Sequence, residues 1–233
     1  LENSGSVRRR QEWAAGEACN RLLFFLIQGG SVSQLAKLEQ FIKQLRADVY
    51  PELPAEPHLS ITAQMVERLL AKAGVVAGQR VLDVGCGQGL AMRRFLAAGF
   101  CPVGVALGED VDICRREGLD VRAMDQSFLT FEESSFDIIW CRHALEHSLF
   151  PYFTLSEFRR VVKESGIVYI EVPAPDTSCH HERNPNHYSV LGKSMWLSLF
   201  DRAGFELEED LDINFTVPAG PDLYWSFFLR PRR

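Results

Sequence analysis

Two groups of residues in this chain have the types and spacing to do chemistry. The first is Val81-Leu82-Asp83-Val84-Gly85-Cys86-Gly87-Gln88-Gly89, an apolar run that ends in an acid and then in glycines at alternate positions. A helical pattern follows at once, with Met92, Phe95 and Leu96 on one face and Gly99 as its stop. This reads as a buried strand, a tight turn and a helix N-terminus. Glycine is required where φ is positive or where a ligand touches the backbone itself, and the unpaired amides of the helix start then face that ligand. The segment is therefore a cradle for a nucleotide or nucleoside. Leu90 stands where a dinucleotide fingerprint needs its third small residue, and no lysine follows Gly89 as a phosphate-binding P-loop would require.

The second group is rich in histidine. His143 and His147 lie four residues apart, a spacing that predicts one helical face, and the polar run Cys179-His180-His181-Glu182-Arg183-Asn184-Pro185-Asn186-His187-Tyr188 follows. Histidine ionises nearest neutrality and is the natural proton acceptor among side chains. Cys, His and Glu also bind metals, but their spacing here matches no compact site, and no metal is expected.

The elements that position these groups alternate. Strands are predicted over residues 81–84, 101–105, 121–124, 136–141 and 167–172. Helices are predicted over 90–98, 109–117 and 152–163, with Gly99 and Gly118 at C-caps and Pro151 in a first turn. Such alternation implies a parallel sheet covered on both faces. A further helix runs through Leu191, Met195, Leu199 and Phe200 to Gly204. Strand patterns over 205–215 and 223–229, joined by a Pro218–Pro221 turn, then form an antiparallel hairpin. Before the sheet, residues 1–74 read as a helical cap, with Leu35, Leu38, Phe41, Ile42 and Leu45 at helical spacing. A link containing Pro51, Pro54 and Pro57 follows, then a helix capped by Ser60. The sheet domain is expected over 75–233.

The glycine turn resembles motif I of the class I S-adenosylmethionine (SAM)-dependent methyltransferases. The resemblance continues through Asp125, Phe136-Asp137-Ile138-Ile139, His143-Ala144-Leu145-Glu146-His147, Gly166-Ile167-Val168-Tyr169-Ile170 and Arg202-Ala203-Gly204-Phe205. It covers about residues 71–230 and is nearest to the small-molecule enzymes of that family. It implies an α/β, Rossmann-like seven-stranded sheet, mostly parallel, with the hairpin antiparallel at its C-terminal end. It also implies SAM as cofactor and S-adenosyl-L-homocysteine as product. By the resemblance the cofactor would be held by Asp83, the turn Gly85, Cys86, Gly87, Gln88 and Gly89, the pair Asp125 and Gln126, and the main chain of Cys141 and Arg142. His143 would be the base, and His187, with Tyr188, would line the acceptor side. One position departs from the pattern: the second strand ends at Ala106, where the family carries an acid for the ribose. Glu109 or Asp110 reaches in from the next turn, or both merely favour a helix N-terminus.

The rest of the sequence narrows the acceptor. Among 233 residues, 25 are basic and 31 acidic, for a formal charge of -6, which argues against a dedicated nucleic-acid partner. The place of the Asn/Asp-Pro-Pro-aromatic motif of amino-methylating nucleic-acid enzymes is taken by Cys141-Arg142-His143-Ala144. A small molecule or a glycan, methylated at oxygen or nitrogen, is the expected acceptor. The alternatives are a nucleic-acid or protein methyltransferase on the same core and a non-catalytic SAM-fold binding protein. The longest apolar run, Leu22-Leu23-Phe24-Phe25-Leu26-Ile27, is too short to span a membrane and lacks a cleavage-site pattern, so neither span nor signal peptide is expected. The scattered cysteines Cys19, Cys86, Cys101, Cys114, Cys141 and Cys179 suit a reducing cytoplasm. Trp13, Phe24, Phe25 and Tyr50 are core or an acceptor lid. Arg8-Arg9-Arg10 and residues 230–233 read as solvated.

Overall fold

A computed structural model describes residues 33–45 and 55–232. The chain divides into two compact units, Leu1–Asp48 and Val49–Arg233. In the first, α1 (Gln34–Leu45) follows the predicted spacing, and Ser33 Oγ caps it by accepting the Ala36 amide at 3.1 Å. Trp13, Phe24, Phe25, Tyr50, Arg8-Arg9-Arg10 and the apolar run over 22–27 lie outside the described residues.

The second unit is a seven-stranded sheet in which the β1–β5 strands are β1 (Arg80–Val84), β2 (Cys101–Ala106), β3 (Val121–Ala123), β4 (Phe136–Arg142) and β5 (Val162–Pro173). The hairpin strands are β6 (Phe205–Val217) and β7 (Gly220–Pro231), and the order is β3-β2-β1-β4-β5-β7-β6. The first five strands are parallel and β7 runs antiparallel to both β5 and β6, the architecture that the alternation of elements predicts. Val81, Leu82, Asp83 and Val84 are all buried, as a strand covered on both faces requires. The hairpin orders itself by polarity. Phe227, Phe228 and Leu229 of β7 are fully buried against β5, whereas β6 carries Glu206, Glu208, Asp210 and Asp212 and takes the edge. Charge on an edge strand discourages pairing with other chains.

Helices cover both faces. α2 (His58–Leu70) and α3 (Leu90–Ala97) bury Val66, Leu69, Ala91 and Phe95 with Ile138, Trp140 and Tyr169. α5 (Pro151–Val161) and α6 (Lys193–Arg202) bury Leu155, Phe158, Trp196 and Phe200 with Leu82, Ile139 and Val168. Each such valine, leucine, isoleucine or phenylalanine, fully buried, stabilises the fold by roughly 1.5–3 kcal/mol relative to exposure. α4 (Glu109–Arg116) packs Val111 and Cys114 with Met92, Ala106 and Val121. No helix among the described residues is long and apolar enough to cross a membrane.

The structure corrects several local readings. α2 begins at His58 and not after Ser60. Glu56 is the capping group, its Oε2 accepting the Ser60 amide at 3.2 Å and hydroxyl at 2.7 Å. α5 stops at Val161, and Val162 and Lys163 already belong to β5. Leu191 precedes α6. Arg230 is not merely solvated: it pairs with Glu208 at 2.6 Å and donates to the Ala73 carbonyl at 2.8 Å. Arg232 pairs with Asp201.

Candidate active site

The carboxyl ends of β1 and β2 build the glycine turn. The amides of Gly85 and Cys86 both donate to the Val105 carbonyl, at 2.9 and 3.1 Å, and the Gly89 amide closes the turn on Cys86 O at 2.8 Å. Gly85, Gly87 and Gly89 have φ of 67°, 48° and 77°, the left-handed region. They are not equivalent. A Cβ on Gly85 would lie 2.5 Å from Ala144 Cβ, and one on Gly89 2.3 Å from Leu119 Cδ1. A Cβ on Gly87 would meet nothing within 4 Å, so Gly87 faces open space. Beneath the turn, Asp83 is 3% exposed. Burial raises its carboxyl to about 7, although the Met92 amide in the first turn of α3 donates to it. Asp83 Oδ2 is enclosed beneath the turn without a hydrogen-bond partner.

Ala106 is packed among Cys86, Met92, Val111 and Leu119 and brings no polar group to the site. Glu109 is exposed, while Asp110 is buried in the first turn of α4. Burial raises the Asp110 pKa against a side-chain hydrogen bond from Gln88, and Asp110 Oδ1 is enclosed without a hydrogen-bond partner. Asp110 thus places a buried carboxyl four residues after Ala106, beside Gln88 of the glycine turn. At the end of β3, Asp125 Oδ1 accepts the Ser127 amide at 2.8 Å. Gln126 Nε2 donates to the Ala144 carbonyl at 2.6 Å, while its Oε1 is enclosed and unpartnered. These bonds tie the β3 and β4 ends together, and Ala144 abuts Gly85.

At the ends of β4 and β5, Cys141 is fully buried and burial pushes its thiol far up. The next residues gather on Glu171, which is enclosed in β5. Arg142 Nε forms an ion pair with Glu171 Oε1 at 2.9 Å, His143 Nε2 lies 2.9 Å from the same oxygen, and the Tyr169 hydroxyl donates to Oε2 at 2.5 Å. Burial alone would raise the Glu171 pKa; the Arg142 charge and the His143 and Tyr169 contacts outweigh it and hold the carboxyl at about 2. His143 is lowered to about 3, by burial first and the Arg142 charge second. It is therefore neutral near pH 7. Glu171, ionised, can only accept, which assigns the proton to His143 Nε2 and leaves the lone pair on Nδ1. The imidazole stacks on Tyr224 with centroids 4.2 Å apart and meets the edge of His58 at 4.9 Å. His58, at the start of α2, also lies 3.2 Å from Arg142 through Nδ1.

His147 does not share a helical face with His143. His143 has a φ of 52° and Leu145–His147 form a single 3-10 turn, which sends the two rings apart. His147 Nδ1 lies 2.9 Å from Asn186 O, and its ring meets His187 edge-on at 4.6 Å. Burial, with the nearby His147 and His181, lowers His187 to about 4, and His187 Nδ1 is enclosed without a hydrogen-bond partner. His181 stacks on His187 at 5.8 Å and touches Tyr224 at 5.2 Å. His180 stays on the surface beside Glu182.

A glycine turn at the carboxyl ends of a 3-2-1-4-5-7-6 sheet is accompanied by a family match: residues 45–210 match the model of a methyltransferase domain. The chain belongs to the SAM-dependent methyltransferases. This methyltransferase is 29% identical over 168 residues to the ubiquinone biosynthesis O-methyltransferase of Bordetella avium (strain 197N), covering 68% of this chain and 66% of that one. It is 30% identical over 199 residues to 24-methylenesterol C-methyltransferase 2 of Oryza sativa subsp. japonica, covering 76% and 54%. It is 28% identical over 184 residues to the glycine/sarcosine/dimethylglycine N-methyltransferase of Actinopolyspora halophila, covering 72% and 33%. The chain thus spans between a third and two thirds of these relatives. Its fold is shared with a SAM-dependent methyltransferase from Archaeoglobus fulgidus (TM-score 0.61, 17% identity, 73% of this chain and 93% of that one). It is also shared with the cyclase SpnF (TM-score 0.63, 18% identity, 85% and 95%).

Around the methyltransferase's glycine turn the structure gathers Asp83, Gln88 and Asp110. It links Gln126 through Ala144 to the β4 end, where Cys141, Arg142 and His143 stand. His187 belongs to a separate ring cluster that reaches His143 through His181 and Tyr224. Sequence reasoning missed Glu171, Tyr224 and His58. A lone acid within Ile167-Val168-Tyr169-Ile170-Glu171-Val172 was the available signal for Glu171, because a buried carboxylate needs a partner. Tyr224 and His58 carry no comparable mark.

Proposed function

We propose that this methyltransferase moves a methyl group from SAM to an oxygen or nitrogen of a small-molecule acceptor, a glycan included, with His143 taking the proton of an oxygen acceptor. The observation that carries the reading is the His143–Glu171 pair, one residue from Ala144 and hence from the glycine turn. The relatives named for O-, C- and N-methylation support a small-molecule acceptor. The free thiols of Cys86, Cys101, Cys114, Cys141 and Cys179 support a reducing, cytoplasmic setting.

The residues present fit the cofactor. Gly87 leaves room that a side chain would fill, and the enclosed oxygens of Asp110 and Gln126 await donors. Gly87 and the α3 amides would receive the amino-acid portion over Asp83, Asp110 the ribose hydroxyls, and Asp125 with Gln126 the adenine. SAM, when bound, supplies a methyl group already activated on a sulfonium. The chain contributes position and a proton acceptor. At an oxygen acceptor the hydrogen on the attacking atom would become strongly acidic as the new bond forms and the methyl–sulfur bond breaks, and it would pass to His143 Nδ1; a nitrogen acceptor would attack as its free base and lose its proton to solvent. A base with a conjugate acid near 3 suffices for so acidic a proton, and Glu171 pairs with the resulting imidazolium.

Calorimetry with SAM, followed by an acceptor screen that detects S-adenosyl-L-homocysteine, tests the reading. His143→Ala should lower turnover far more than SAM affinity. Failure to bind at millimolar SAM would overturn the cofactor placement, and equal loss of both parameters in His143→Ala would remove the base.

A further inference from the structure

Cys179 and His181 in the β5–α6 loop meet Asp222 at the start of β7. Sequence spacing gave no reason to join them, yet their ligand atoms all lie within 4.8 Å of one another. The backbone builds the convergence. The Ala174 amide donates to Leu223 O at 2.9 Å and the Ser178 amide to Pro221 O at 3.3 Å, prolonging the β5–β7 ladder beyond the Pro173–Tyr224 pair. Gly220 permits the close approach, since a Cβ there would stand 2.7 Å from Ser178 Oγ. Asp222 is buried, its Oδ1 takes the Leu223 amide at 2.9 Å, and His181 Nε2 lies 3.0 Å from its Oδ2. His181 is held in turn between the rings of His187 and Tyr224.

We propose that Cys179, His181 and Asp222 form a binding site for a divalent transition-metal ion of the zinc class. A thiolate, an imidazole and a carboxylate together suit zinc(II) and not magnesium or calcium, which take oxygen ligands. Tetrahedral zinc places its ligand atoms about 3.3–3.7 Å apart, which side-chain rotation reaches from the spacing present. The Leu223 amide orients Asp222, and the neighbouring rings orient His181, as supporting contacts do at metal centres. Binding releases the Cys179 thiol proton to solvent. Three protein ligands leave a fourth position open, the pattern of reactive and not of purely structural zinc. Tyr224 touches both His181 and His143, so the ion would stand one ring away from the proposed base. The site does not depend on the methyl-transfer reading.

The test uses the full chain, stripped with chelator and titrated with zinc(II) against a chromophoric competitor, with cobalt(II) as a spectroscopic probe. The expected result is stoichiometric zinc and a near-ultraviolet thiolate-to-cobalt band that Cys179→Ser abolishes. Cys179→Ser, His181→Gln and Asp222→Asn should each weaken zinc by more than about tenfold. Circular dichroism of the metal-free variants controls for folding, and the cobalt band of the unaltered protein needs no variant at all. Absence of stoichiometric zinc, absence of the thiolate band, or affinity unchanged in all three variants would overturn the proposal. So would loss of binding in His147→Ala with Cys179→Ser unaffected, which would put the ion at Glu146, His147 and His187.

Discussion

His143 Nε2 rests 2.9 Å from Glu171 Oε1, and the neighbouring strands pair Arg142 directly with Glu171. A carboxylate kept ionised by Arg142 therefore selects the histidine tautomer and leaves the lone pair on Nδ1. Glu171→Gln should reverse this, because the new amide can donate to Nε2 and shift the proton to Nδ1. Turnover should fall by about 100-fold or more with SAM affinity changed much less. The loss should persist across pH 6–9, since His143 is neutral throughout. Parallel loss of SAM affinity would show that Glu171 only holds the fold around Arg142.

Gly87 and Gly118 share a left-handed φ, 48° and 78°, and open surroundings. Leucine at either position should cost about 1–2 kcal/mol in backbone strain. Only Gly87→Leu should abolish SAM binding, measured by calorimetry beside thermal melts. Equal SAM affinity in the two variants would move the cofactor away from the turn.

Asp110→Asn should weaken SAM by about tenfold or more, the effect of removing a charge-assisted hydrogen bond. Glu109→Gln, on the exposed side of the same helix start, should leave affinity unchanged. If both substitutions weaken SAM equally, the acids act through the helix dipole and Asp110 has no special role.

Asp83 gives a stability signature with a definite sign. Its carboxyl lies at about 7 in the fold against an ordinary value of 3.8. The folded state therefore holds a proton that the unfolded chain has lost, and this contribution, present below 3.8, disappears as pH rises through 7. Asp83→Asn should gain stability relative to the parent between pH 4 and 8, on the order of 4 kcal/mol. His143 and Glu171 shift in the opposite sense, their stabilisation lost as pH falls through about 3 and about 2. The difference between variant and parent melts isolates Asp83 in the cofactor-free protein. A flat difference would refute its raised pKa.

The sheet, the glycine turn and its cofactor were legible because their signals are local. Apolar runs, alternate glycines and helix stops occupy adjacent residues, whereas which hairpin strand takes the edge came from the structure. Ala106 was also visible as a gap. Which of Glu109 and Asp110 is buried beside Gln88 was not, because that depends on how α4 turns against the sheet.

His143 was recognisable by type and by its place after a strand, but its partner was not. Glu171 reaches it only through the β4–β5 register, and Tyr224 only through the β5–β7 register. The same antiparallel pairing brings Asp222 to Cys179 and His181, residues separated by a helix and a whole strand. By itself the sequence determined the layers, the turn and the chemical inventory, since each is a short-range consequence of residue type and period. Tertiary structure alone decided which acid meets which histidine, because strand register and long-range closure are set by the packing of the entire sheet.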